Sequence, residues 1–142
     1  MSEKIRKKCV KHIKKKIAKK DIIYPAPLDD LIYIGNYKCH LNALSYTVAN
    51  IKTVKAIIGG IQLFSDDVVA HFIVQLNDGT YIDPTYGNLA DILFNGFIEV
   101  KRYENHKDTK PFEPTKELMK MKKHIYKIIP KKLRKNTNKN KW

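Results

Sequence analysis

The sequence predicts an α+β domain in which a cysteine-bearing helix packs on an antiparallel sheet. Three observations carry that expectation. Apolar residues recur at helical spacing in the segments around residues 3–20, 37–50 and 114–129. Two β-rich runs, TVKAIIGGIQLF and DVVAHFIVQL, follow one another closely. The loop Asn77-Asp78-Gly79 then joins the second run to TYIDPTY at a length that closes a hairpin.

Taken in order, Ile5, Cys9, Ile13 and Ile17 form a narrow apolar stripe on a lysine-rich helix. The segment DIIYPAPLDDLIYIGN carries Pro25 and Pro27 and is expected to run extended, delivering the chain to Cys39. A helix follows from Tyr37 to Asn50, capped by Asn36 and turning Leu41, Leu44 and Val48 inward. After the hairpin, NLADILF is expected to be a short helix and FIEVKRY a further strand. PTKELMKMKKHIYKII is a helix opened by Pro114 and Thr115. Beyond Pro130 the segment KKLRKNTNKNKW is poor in apolar residues and is expected to be disordered. The chain thus divides into a basic helix (residues 1–20), a central domain (21–129) and a disordered basic tail (130–142).

A net charge of +14 raises the possibility of a polyanion-binding protein, and its distribution bears on that. Residues 1–20 carry +9 and residues 106–142 carry +10, whereas residues 21–105 carry −5. The expected folded core is acidic, and lysine outnumbers arginine by 25 to 3, as a low-GC genome also produces. No stretch approaches the roughly 18 apolar residues of a membrane span, and the N-terminus lacks the apolar region of a secretory signal. The two cysteines, Cys9 and Cys39, lie in dissimilar surroundings that do not suggest a disulfide. These features describe a soluble cytoplasmic protein.

Cys39 is the candidate nucleophile. A thiol near its ordinary pKa is only a few per cent ionised at neutral pH, and the first turn of a helix stabilises the thiolate through free N–H groups and the positive end of the dipole. An imidazole must complete the couple. His12 and His124 sit in lysine-rich helices, His106 in a polar loop, and His40 adjoins Cys39, about 100° away around the helix. His71 differs, because an imidazole within VVAHFIVQL is costly to bury without a partner. Register supplies that partner: a three-residue turn with Gly79 in the left-handed region pairs Val74 with Ile82 and Ile73 with Asp83, so His71 and Asp83 become diagonal neighbours on one face. A two-residue turn would put them on opposite faces. Asp66 and Asp67 with His71 make a poor metal site, since no second His stands at ligand spacing. No metal or cofactor is expected.

A cysteine opening a helix, a histidine in the next-but-one element and the run HFIVQLNDGTYIDPTYG resemble the core of the transglutaminase-like cysteine hydrolases and transferases, over about residues 35–90. The resemblance implies a papain-like fold, Cys39 as nucleophile, His71 as general base and acid, and Asp83 as the orienting carboxylate. The expected chemistry is acyl transfer from an amide or thioester, in a protein, peptide or small molecule, to water or an amine. Asn36, Tyr37, Tyr81 and Tyr86 are the candidate substrate contacts, around a groove near Gly35 to Cys39, Gly59-Gly60 and Tyr86-Gly87. The alternative is a non-enzymatic module whose lysine-rich flanks hold nucleic acid or an acidic partner, although no nucleic-acid-binding motif is present.

Overall fold

Helix α1 (Glu3–Ile17) starts where the Ser2 hydroxyl accepts from the Ile5 N–H; it buries Cys9, Ile13 and Ile17 of the expected stripe, half-buries Ile5 and adds Val10. The structure, a computed structural model, describes residues 1–142 other than Ile34, Phe94, residues 106–111 and the side chains of Ile92 and Leu93. His106, expected in a polar loop, lies outside the described residues. The remaining elements are α2 (Cys39–Ala49), β1 (Val54–Leu63), β2 (Val68–Leu76), β3 (Tyr81–Ile82), α3 (Ala90–Leu93), β4 (Phe97–Glu104), α4 (Pro114–Ile128) and α5 (Lys131–Arg134). Single 3-10 turns cover Gly87–Leu89 and Lys139–Lys141. No helix among the described residues is long and apolar enough to cross a membrane.

The strands form one antiparallel sheet in the order β3-β2-β1-β4. Alternation along the strands sorts the core into two layers. One face carries Ile57, Ile61, Phe72 and Val74 against residues of α1, α2 and α4. The other carries Ala56, Ile58, Ile73 and Phe97, covered by Ile23, Tyr81 and Tyr86. The proline segment runs extended over this second face and bridges to it twice, at Ile23 with Phe97 and at Ala26 with Ile82. Gly59 and Gly60 do not border a groove. They lie inside the sheet at an irregularity between β1 and β4, and a Cβ on Gly60 would collide with the Ile98 carbonyl.

Two expectations about helices and termini change. Helix α2 begins at Cys39 with Lys38 as the capping residue, not at Asn36. Its inward face is Cys39, His40, Ala43 and Thr47, while Leu41 and Val48 are exposed. The spacing of leucines and valine suggested a different face because it ignored Ala43 and Thr47, small residues that let a helix approach a sheet closely.

The tail is not disordered. Leu133 and Trp142 of this segment pack on the core, and Trp142 is 2% exposed. The Arg6 guanidinium lies 4.3 Å over its ring, Thr137 Oγ1 accepts from its Nε1–H, and Ala70 N–H donates to its carbonyl at 2.6 Å. Average composition concealed this, because a single indole buries roughly 150–250 Å² whatever its neighbours are. Charge is also spent on structure here: Arg6 pairs with Asp67, Lys14 donates to the Phe64 and Ser65 carbonyls, and Arg134 donates to the Ile129 and Lys127 carbonyls. Replacing a buried aromatic by alanine typically costs about 3–5 kcal/mol. Trp142→Ala is therefore expected to lower unfolding stability by about 3 kcal/mol in urea titration, whereas a change under about 0.5 kcal/mol would return the tail to the disordered class.

Candidate active site

His71 and Asp83 meet because of the turn that precedes β3. Gly79 adopts φ 91°, its N–H donates to the Leu76 carbonyl, and Leu76 N–H donates to Thr80, closing the three-residue loop. The ladder then pairs Gln75 with Tyr81 and Val74 with Ile82, which brings Asp83 level with Ile73 and diagonal to His71. The His71 Nε2–H donates to Asp83 Oδ2 at 2.6 Å, with both side chains buried.

The Asp-Pro-Thr run explains how Asp83 is held. Its second oxygen, Oδ1, accepts from the Thr85 and Tyr86 N–H groups at 2.8 and 3.0 Å, and its carbonyl accepts from Gly87. Pro84 fits the first turn position because its φ is preset and it has no N–H to satisfy. One carboxylate thus caps a turn and orients an imidazole at the same time.

Cys39 reaches this pair around the open edge of β2. Amide groups of alternate residues point to the same edge of a strand, so Ala70, Phe72, Val74 and Leu76 all face the β3 side. Leu76 and Val74 are taken by the hairpin and Ala70 by the Trp142 carbonyl. Phe72 N–H, between them, points to the Cys39 sulfur. With Nε2 committed to Asp83, Nδ1 is the nitrogen His71 offers to Cys39.

The electrostatics follow from this arrangement. Burial pushes the Cys39 thiol up, but the positive charge of His71 and hydrogen bonds from His40, His71 and the Phe72 N–H pull harder, leaving it at about 6. Burial likewise opposes protonation of His71, and the charges of Asp83 and Cys39 with their hydrogen bonds overcome it, raising the imidazole to about 10. Between those values the favoured state is a thiolate-imidazolium pair. The other thiol, Cys9, is buried and raised by its surroundings.

A network links α2 to the Asp83 turn. The Asn36 and Asn42 side-chain amides bond each other reciprocally, Asn36 Oδ1 accepts from the Lys38 N–H, and Asn42 Nδ2 donates to Thr85 Oγ1 at 3.0 Å. Asn36, expected to cap the helix and touch substrate, therefore positions the first turn of α2 through Asn42. Chain comparisons bring nothing further. No protein-family model, curated protein or solved structure matches this chain. The site must be read from its own residues.

Cys39 and His71 line one cavity of about 330 Å³. Of the four expected substrate contacts, Tyr37 and Tyr86 line it. Tyr37 is 96% exposed with φ 57°, held in the left-handed region at the cavity mouth. Tyr86 stacks flat on Tyr33 at 5.6 Å and lies 5.5 Å from the His71 ring. Tyr81 packs with the second core layer, and neither it nor Asn36 lines the cavity. Gln62, Trp142 and Tyr33 do line it and were not singled out from the sequence. Adjacency on the helix suggests a poor placement for His40, yet it is buried and helps to lower the Cys39 thiol. Among the described residues no group of three or more His, Cys, Asp or Glu is arranged to hold a metal ion.

Alkylation of Cys39 by iodoacetamide, followed by mass spectrometry, should rise with pH around a midpoint near 6, because the thiolate reacts and the thiol does not. His71→Ala removes the strongest lowering influence and should move that midpoint up toward the ordinary 9.0. An unchanged midpoint in the variant would show that the imidazole does not set the thiol's ionisation.

Proposed function

We propose that the chain is a cysteine enzyme carrying out acyl transfer through a Cys39–His71–Asp83 triad on a transglutaminase-like, papain-like core. The observation that carries this reading is the buried 2.6 Å hydrogen bond between His71 and Asp83 at a cavity that Cys39 and His71 line together. A buried thiolate beside a buried imidazolium is an expensive arrangement for a purely structural role, since three apolar residues of similar volume would pack there without desolvating charge. The likeness of HFIVQLNDGTYIDPTYG to the transglutaminase-like run supports the same assignment.

In this reading the Cys39 thiolate attacks the carbonyl carbon of an amide or thioester, and the carbonyl oxygen takes up the electron pair. Free N–H groups in the first turn of α2 stand beside the sulfur and stabilise that oxyanion. On collapse the bond to the leaving nitrogen or sulfur breaks, and the Nδ1 proton of His71 goes to the leaving group. The neutral imidazole then takes a proton from water or an amine, which attacks the thioester and releases Cys39. Asp83 keeps the ring oriented and favours its charged form throughout. Water, available to an open cavity, is the default acceptor.

A second reading, a surface for anionic partners, is supported by Lys8, Lys11, Lys15 and Lys16 of α1 and by Lys19 just after it. They are exposed and line hollows completed by Pro130 and Lys132. The two readings use different faces.

An electrophilic thiol probe is expected to label Cys39 and spare Cys9. Cys39→Ala should lose all amide- or thioester-directed turnover with an unchanged circular dichroism melt, and turnover near wild-type level would sink the assignment. Asp83→Asn should lower kcat far more than it raises KM, because its role is exerted on the charged imidazole rather than on bound substrate.

A further inference from the structure

Gln62 is the polar group of the cavity that the mechanism leaves unused. It sits on β1, is 0% exposed, and neither its Nε2 nor its Oε1 has a hydrogen-bond partner. It lines the cavity that holds Cys39 and His71. The register explains why: Gly60 stands opposite His71 and Gln62 opposite Val69, so Gln62 projects from the same face as His71, one diagonal step along the sheet. Tyr86 lies close enough for the amide to temper the upward push of burial on its phenol, although the two do not reach hydrogen-bond geometry.

A buried carboxamide with both ends unpaired bears the full cost of its desolvation, and an apolar side chain of the same length would avoid that cost. The two ends also specify what would satisfy them. Nε2–H needs an acceptor and Oε1 needs a donor, side by side. A primary carboxamide offers that pair on one edge, whereas a trans secondary amide directs its N–H and C=O to opposite sides and an ester or thioester offers only the acceptor.

We propose that Gln62 is a specificity-determining residue that pairs, donor to acceptor and acceptor to donor, with a primary carboxamide of the acyl donor beside Cys39, so that carboxamides rather than thioesters are the substrate class. This rests on Cys39 being the nucleophile. A site built to hydrogen-bond a substrate N–H rejects analogues that lack it, because its own buried acceptor is then left unpaired.

The test compares alkylation of Cys39 in the full chain by iodoacetamide, which carries both amide groups, and by methyl iodoacetate, which lacks the donor, each normalised to its rate with glutathione. Wild-type protein should prefer iodoacetamide on the order of tenfold, the worth of about one hydrogen bond. Gln62→Met, of similar length and unable to pair, should lose that preference while keeping its rate with methyl iodoacetate. Equal preference in both proteins overturns the assignment. If Gln62→Met does not fold, wild-type protein alone decides: acetamide should slow labelling by methyl iodoacetate at concentrations where methyl acetate does not, and equal effects overturn it. Cys39 reacting no faster than Cys9 would overturn the nucleophile reading itself. Fast Cys39 labelling with no dependence on Gln62 would remove only the amide assignment.

Discussion

The register between β2 and β3 governs everything at the site. Side chains alternate with a period of two, so one residue more or less in the turn would carry Asp83 to the opposite face of the sheet and leave His71 buried among Ile73, Phe97 and Tyr86 with no counter-charge. Asn77-Asp78-Gly79 sets the count. Gly79 supplies the positive φ that ends the turn, and the Asp78 side chain accepts from the Thr80 N–H at 2.9 Å. The hydrogen bond between His71 and Asp83 is thus a consequence of backbone geometry six residues away. The remaining contacts refine a placement that the turn has already made.

Strand β3 is only two residues long, and this brevity matters as much as its register. A longer β3 would have covered the edge of β2 and paired the Phe72 N–H with a strand partner. Because β3 ends at Ile82, the edge stays open at Phe72, and the first turn of α2 can bring Cys39 there. The Trp142 carbonyl closes the next position at Ala70. A row of unpaired strand amides is ordinarily a hazard, and here each amide is answered by a different part of the chain. The Asn36–Asn42–Thr85 bonds then lock α2 to the turn that carries Asp83, so Cys39, His71 and Asp83 are tied to one another through both backbone and side chains.

Much of this was legible in the sequence, for physical reasons that also explain the rest. The α+β class, the apolar stripe of α1 and the pairing of Val74 with Ile82 follow from local patterns, namely helical spacing, β-branched runs and turn chemistry. Cys39, His71 and Asp83 could be singled out because an imidazole in an apolar strand demands a partner and the turn length names one. Features that depend on distant packing were invisible. The inward face of α2 was misread because Leu41 and Val48 outweigh Ala43 and Thr47 in hydrophobicity but not in fit. Composition points to a disordered tail because it cannot report that Arg6 and Ala70 receive Trp142. Gln62 leaves a faint signal, a polar residue within the apolar run that follows Lys55 in β1, of the same kind that marks His71.

The central claim is that a thiolate and an imidazolium coexist as a buried pair, and the protonation of the His71 ring tests it most directly. In protein labelled with nitrogen-15 at histidine, with His71 assigned by its loss in His71→Ala, both ring nitrogens should carry protons at a pH midway between about 6 and about 10. A neutral ring at that pH, with one unprotonated nitrogen facing a protonated Cys39, would contradict the account.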